Sequence, residues 1–514
     1  MTERERTDKN TICDLLMNEG LDRFSDEEKV ARTGVLTDLA LELGRKDVLS
    51  CVLRWYEALH LKNLQGEQAI LLDYNWANAI AAGRYGTQWK WEQSTLAREI
   101  YHLRRAASNS SFQTMDESFR CKCLNDLGSR LRVAGRAIEA LDCWRRVLDS
   151  KPNFGMSLCN RAMVLASYAG GLEDDGKRAL LLWAAHTEAE AALAHTAFYT
   201  DIRDEQTRKK TKELKEWVES FVDVKGITAL DPLNEEVPSS NEDERRYRRW
   251  CLHHCLYLNV VNDVGPHACA AYDPLSLPGQ VVPVDAPHTF ESFFDQMKQE
   301  YVSARWLLYE GLTSQGPHFS DKEVLLGAPD PRPCLSLAVE RIKAAYRMSY
   351  SLFDKVSFFL NAYMQLGIAE RAVTFRTIWR CDDKQSIRKE FDQTTNWGFC
   401  ALHWLSKDLF EKASDEVAEP QARQLSEIRN FLEHKYLRVT NIDAGVAPSE
   451  DLALMLSRQQ FESKAIQLLK LARSALIYLA IGVRFEEQRR QPALANITLE
   501  ELPPTARMVD EEKI

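Results

Sequence analysis

The sequence predicts an all-α protein, on three observations. Gly (22) and Pro (17) are sparse among 514 residues, so long stretches run without a break. Within them apolar residues recur near a 3.6-residue period, as one buried helix face requires. Alternating strand-type runs between turn residues are nearly absent. The expected order is a helical solenoid over residues 1–230, a linker and helical connecting region over 231–334, a helical bundle over 335–490, and a tail over 491–514.

The solenoid is clearest from Cys121, in CLNDLGSRLRVAGRAIEALDCWRRVLDSKP. Leu124, Leu127, Gly128 and Leu131 mark one helix and Gly135 the turn. Ala140, Trp144 and Val147 mark the next helix, and Pro152 closes the pair. Small residues stand where helices cross closely, an aromatic fills the gap, and a proline stops the second helix, as in the 34-residue tetratricopeptide (TPR) repeat. Ala162 and Leu165 fall in the register of Gly128 and Leu131, 34 residues on. The upstream stretch ILLDYNWANAIAAGRYG reads as a degenerate copy.

DPLNEEVPSSNED (231–243) reads as an exposed linker, and GAPDPRP marks another break near 333. Between them FESFFDQMKQEYVSARWLLYEGL is a helix. From Leu335 four helical blocks follow. In the first, Ile342, Ala345, Ser349, Leu352, Val356, Phe359 and Tyr363 form one mainly apolar stripe. The others are WGFCALHWLSKDLFEKAS, EPQARQLSEIRNFLEHKYLRV and EDLALMLSRQQFESKAIQLLKLARSALIYLAIGVRFEEQRR. Short connections between the last three suit antiparallel neighbours in a bundle. The tail from Gln491 reads as loosely attached.

Composition excludes several classes. At roughly 150 residues per domain the length allows about three domains. Hydrophobic residues at 45% and charged residues at 28% exclude wholesale disorder. No apolar run reaches the ~18 residues that span a bilayer, and MTERERTDKN is no secretory signal. Twelve scattered cysteines read as reduced thiols. The expectation is a cytoplasmic protein without membrane partners. With 66 Lys+Arg against 76 Asp+Glu, the charge of −10 argues against coating nucleic acid but leaves room for a local basic site.

The third block contains Arg429-Asn430-Phe431-Leu432-Glu433-His434. This run resembles the signature of the HEPN superfamily: an Arg, usually followed by a polar residue, then a His four to six residues further on, late in a C-terminal four-helix bundle. YRRWCLHHCLYLNVVND, AYDPLSLPG, EYVSARWLLYEGL and YSLFDKVSFFLNAY resemble the branch in which TPR-like helices precede the nuclease domain. The resemblance covers Glu244 to Arg490. Arg248…His253, Arg249…His254 and Arg54…His60 repeat the bare spacing. Asn430, the helical context and the order of the flanking segments single out Arg429…His434.

RNA is cut without a metal when its 2′-hydroxyl attacks the adjacent phosphate. That needs a proton-transfer group and a cation to hold the developing charge. Histidine, with an ordinary pKa of about 6.5, suits the first role, and His434 is the candidate. The planar guanidinium of Arg429 suits the second. Asn430 can orient His434 or a phosphate oxygen. The resemblance implies the same roles, 2′,3′-cyclic phosphate ends, no cofactor, and a setting in toxin action or antiviral defence.

At about 100° per residue, Asn430 and His434 lie about 40° apart on the helix, and Arg429 and His434 about 140° apart. Leu425, Ile428 and Leu432 define the buried face. Two copies of the helix about a two-fold axis would bring two Arg and two His into one cleft, so a homodimer or higher even oligomer is expected, with RNA as substrate. The TPR-like helices would bind a protein partner or trigger.

Plainer readings stand beside these. Arg429 and Glu433 can form an intrahelical ion pair. Arg347, Ser351, Asp354 and Asn361 form a polar stripe that is either solvated or, through Asp354 and Arg347, supports the site. Arg245, Arg246, Arg248 and Arg249, with Tyr247 and Trp250 interleaved, either guide RNA or form a solvated flank; Arg248 and Arg249 are the RNA-binding candidates. Asn259, Asn262 and Asp263 are turn and cap residues or contact the bundle. Cys251-Leu-His253-His254-Cys255 lacks a matched second pair, so no metal is expected. The competing function is a non-catalytic TPR scaffold with a degenerate HEPN dimerisation bundle.

Overall fold

The computed structural model describes residues 3–84, 91, 93–199, 204–230, 241–279, 281–282, 289–327, 332–381, 386–409, 419–420, 422–441, 452–490 and 500–501. Two compact units divide the chain. One comprises 1–164, 187–216 and 407–423, the other 165–186, 217–406 and 424–514. The first division falls within helices near 165 and 217, not in the expected linker, most of which (231–240) lies outside the described residues.

The N-terminal helices are α1 (Glu3–Glu19), α2 (Asp26–Leu43), α3 (Lys46–His60), α4 (Gly66–Gly83), α5 (Ser94–Ala107), α6 (Glu117–Val133), α7 (Ala137–Ser150), α8 (Gly155–Ala169), α9 (Asp175–Leu193), α10 (Asp204–Phe221) and α11 (Val224–Leu230). In the first unit they pack as successive hairpins, α2 on α3, α4 on α5 and α6 on α7. The expected repeat positions do their work at the α6–α7 crossing. A Cβ on Gly128 would lie 2.6 Å from Trp144 Nε1, so only glycine lets the indole seat against α6, where it donates to the Asn125 carbonyl at 3.1 Å. Gly135 turns the chain with φ 77°, and α7 stops just before Pro152. Ala162 and Leu165 are fully buried in the next helix, as their register predicts.

The remaining elements are α12 (Glu242–His253), β1 (Val281–Val282), α13 (Thr289–Thr313), α14 (Leu337–Tyr363), α15 (Lys389–Asp392), α16 (Trp397–Ser406), α17 (Ala422–His434), β2 (Tyr436–Thr440), β3 (Ala453–Ser457), α18 (Arg458–Arg490) and β4 (Glu500–Glu501). All seven stripe residues of α14 are buried. The second unit adds a partner to the expected bundle: α13, read as part of the connecting region, packs along α14 and α18, with Phe290 5.2 Å from Phe359 and 5.5 Å from Tyr363 between ring centres.

The core closes where α16 crosses α18. A Cβ on Gly398 would sit 2.6 Å from the Gly482 backbone nitrogen, so the helices meet backbone to backbone. By length and composition α18 contains a stretch apolar enough to cross a membrane, and 83% of that window is buried in the fold.

Two blocks read as wholly helical carry strands. YLRVT and ALMLS pair in parallel as β2 and β3, from Tyr436 opposite Ala453 to Thr440 opposite Ser457. Leu437, Val439, Leu454 and Leu456 are buried, a period-2 pattern too short to stand out from the flanking helices. In the tail, Glu500–Glu501 pairs antiparallel with Val281–Val282; the rest of it lies outside the described residues.

Two buried ion pairs tie the connecting segment into the second unit. Arg305 of α13 grips Asp273 at 2.7 and 2.9 Å and donates to the Leu256 carbonyl and the Tyr247 hydroxyl. Arg473 of α18 reaches Asp263 at 2.7 Å and the carbonyls of Tyr257 and Asn259. Asp263 therefore anchors the bundle's longest helix. Asn259 and Asn262 are local cap and turn residues, bonding the Val261 N–H and the Leu252 carbonyl.

Candidate active site

Helix α17 carries the motif. Its apolar side is the one the spacing predicts: Leu425 and Ile428 are fully buried and Leu432 nearly so. Two α14 side chains hold it from that side. The Tyr346 hydroxyl donates to the Leu425 carbonyl at 2.8 Å, and Arg347 donates to the Leu432 carbonyl. Leu432 is in the last turn, where carbonyls lack helical partners and the dipole end is negative, so the Arg347 guanidinium caps α17 and complements its charge. Arg347 also lies 3.9 Å from Glu433. Its contacts position the motif helix.

On the other flank Arg429 is half-buried, while Asn430 and His434 are exposed. Arg429 donates to the Asn430 side-chain oxygen at 3.2 Å, and its guanidinium lies 5.7 Å from the Tyr350 ring centre. Among the described residues no carboxylate forms an ion pair with Arg429. The ordinary Arg429–Glu433 bridge is not made, because Glu433 faces Arg347. Arg429 and His434 do not touch within the chain, in keeping with their wide angular separation.

Asp354 lies one turn beyond Tyr350 on α14. Burial raises its carboxyl above the ordinary range, and Arg429 nearby pulls the other way. Burial pushes the Tyr350 phenol up to about 12, with Ser426 bonding it and lowering it in part. Of the polar stripe, then, Arg347 and Asp354 face the motif helix, while Asn361 secures the turn after α14 by bonding both backbone groups of Ile368. From sequence alone Tyr350 reads as core, being a tyrosine in an aromatic-rich helix. Its place three residues after Arg347 and four before Asp354 was the available signal.

The other candidates stand apart from the motif. Arg248 pairs with Glu244 at 2.7 Å and donates to the Ala271 carbonyl, and Arg249 is exposed. No bond or ion pair links either to Arg429, Asn430 or His434. Tyr247 meets Tyr309 edge to face and Trp250 meets it tilted, at 5.1 and 5.3 Å between ring centres. That side of α12 packs on α13. The alternative histidines are also engaged: His254 lies against Trp250, and His60 against Trp76 and Arg105. Cys251 is buried, its thiol pushed up to about 12 by that burial. Among the described residues no group of three or more His, Cys, Asp or Glu is arranged to hold a metal ion.

Chemically, the motif offers an exposed imidazole, an amide, and a guanidinium oriented by that amide and an aromatic face. Residues 282–486 match the family model described as LA2681-like HEPN. The match takes in α13, in keeping with its packing on α14 and α18, and ends within α18. No curated protein and no solved structure matches the chain. Residues 282–486 thus match an LA2681-like HEPN domain, carried behind a helical N-terminal region.

Proposed function

We propose that the chain is a metal-independent endoribonuclease acting from a composite site at the interface of two copies. The observation that supports this most is Arg429: a half-buried guanidinium oriented by Asn430 and Tyr350, with no carboxylate ion-pair partner among the described residues. A cation held in place but not neutralised suits an incoming phosphate. His434 of one copy takes the proton of the RNA 2′-hydroxyl as that oxygen bonds to phosphorus. The bond from phosphorus to the 5′-oxygen breaks, and His434 of the second copy protonates the leaving oxygen. The products are a 2′,3′-cyclic phosphate and a 5′-hydroxyl, and Arg429 holds the charge that builds on the non-bridging oxygens. The setting is cytoplasmic, in toxin action or antiviral defence, with the N-terminal helices binding the trigger.

The test is RNA cleavage by the purified full chain in EDTA, comparing wild type with His434→Ala and Arg429→Ala. Loss of about 100-fold or more in both, with dimerisation intact, is expected from removing a general acid–base group or a charge-stabilising donor. Cleavage at the wild-type rate by both variants would defeat the assignment.

A further inference from the structure

One cleft lies wholly within the second unit and takes no part in the proposed chemistry. The turn from Gly171 to Asp174, just before α9, forms one wall, and the stretches around Leu258 and Leu275 form another. The floor is α18. Ile477, Ala480, Ile481 and Arg484 stand at i, i+3, i+4 and i+7 of that helix, one face, and the three apolar ones are buried. None of Arg429, Asn430 and His434 lines the cleft. Its volume is about 80 Å³, where one water needs ~10–15 Å³. The walls are fixed by backbone bonds. The Leu258 N–H donates to Asp273 at 2.7 Å, the Leu275 N–H donates to the Leu258 carbonyl at 3.2 Å, and Arg473 holds the Tyr257 and Asn259 carbonyls.

The charges around the cleft are mostly answered by one another. Asp174 pairs with Lys177 at 2.9 Å, and Asp175 with Arg178 at 2.8 Å. Arg484 is the exception. Among the described residues no carboxylate forms an ion pair with it, and its Nε is buried without a hydrogen-bond partner. Burial pulls its guanidinium below the ordinary value; Arg178 adds to that, while Glu173 and Asp175 act against it. Glu173 itself is exposed, at the rim. A buried donor left without an acceptor is costly, and an anionic oxygen on a ligand would relieve that cost. The apolar face beside it suits hydrocarbon.

We propose that this cleft binds a small amphipathic anion, a short hydrocarbon body carrying one carboxylate or phosphate group. The body lies on Ile477, Ala480 and Ile481, and the head group meets Arg484. The site stands whether or not the chain cuts RNA.

Isothermal titration calorimetry of the full chain with hexanoate and with hexyl phosphate tests this, with hexanol and inorganic phosphate supplying each half alone. At least one of the two amphiphiles should bind saturably, and the tighter of them identifies the head group. Hexanol and inorganic phosphate should each bind at least about 10-fold more weakly, and Arg484→Gln should weaken the bound amphiphile by a similar factor. Ala480→Leu, which fills the floor and keeps the charge, should weaken it too. Glu173→Gln removes the acid at the rim and should tighten binding. The proposal is overturned if neither amphiphile binds, if Arg484→Gln binds as well as wild type, or if Glu173→Gln binds more weakly. Should Ala480→Leu not fold, the Arg484 and Glu173 variants decide.

Discussion

Substituting Gly398 by alanine tests the crossing that closes the HEPN core. The new Cβ would lie 2.6 and 2.8 Å from the nitrogen and Cα of Gly482 and 2.9 Å from the Tyr478 carbonyl oxygen. All three are backbone atoms, so no side chain can swing aside and α16 must move off α18. Alanine's helix preference returns at most about 1 kcal/mol. Overpacking costs about 1–3 kcal/mol. Moving α16 also strains the 2.7 Å bond from the buried Asn396 amide to the Gly482 carbonyl, which adds about 1 kcal/mol. The net loss is about 1–3 kcal/mol, a fall in Tm of roughly 2–12 °C at the ~2–4 °C per kcal/mol of a domain this size. Thermal melts by circular dichroism measure it. Gly83→Ala is the control, since a Cβ there meets nothing within 4 Å. A Gly398→Ala protein melting at or above wild type would refute the close-crossing reasoning.

Asp263→Asn leaves Arg473 buried without its counter-ion and should cost about 3–5 kcal/mol. Pairing it with Arg473→Met should cost less than the sum of the single changes, read as the coupling in a double-mutant cycle by urea denaturation. Asp354 gives a pH dependence of defined sign. Its folded-state pKa is raised by burial, so the folded protein holds this proton more tightly, and stability falls as pH rises from the ordinary carboxyl value through the folded one. Asp354→Asn should flatten that slope and leave the protein at least as stable as wild type at neutral pH. A steeper slope in the variant would show the sign to be wrong.

What could be read from the residues follows the range of the forces involved. The α14 stripe and the apolar side of α17 are local periodicities, and each named position is buried. Gly128 and Trp144 were readable because one repeat fixes both partners within a single hairpin. The strands β2 and β3 were not, since five alternating residues beside long helices leave a weak signal against the helical background. Helix α13 was readable as a helix, but nothing local says that it packs on α14 and α18. The motif was found through its spacing and its neighbours in sequence. Its supports, Tyr350 and the Arg347 cap, come from another helix about 80 residues away.

The burial of α18 governs the order of assembly. Its partners include Trp397, 6.3 Å from Tyr478 between ring centres, and the turn at Gly171, against which Ile481 packs. During synthesis the segments from 165 to 406 leave the ribosome long before residues 458–490 exist to cover them, while the first hairpins can close as they emerge. A chain interrupted ahead of α18 would carry the motif helix with its supporting core unfilled. Competence at the motif would thus wait on the emergence of α18.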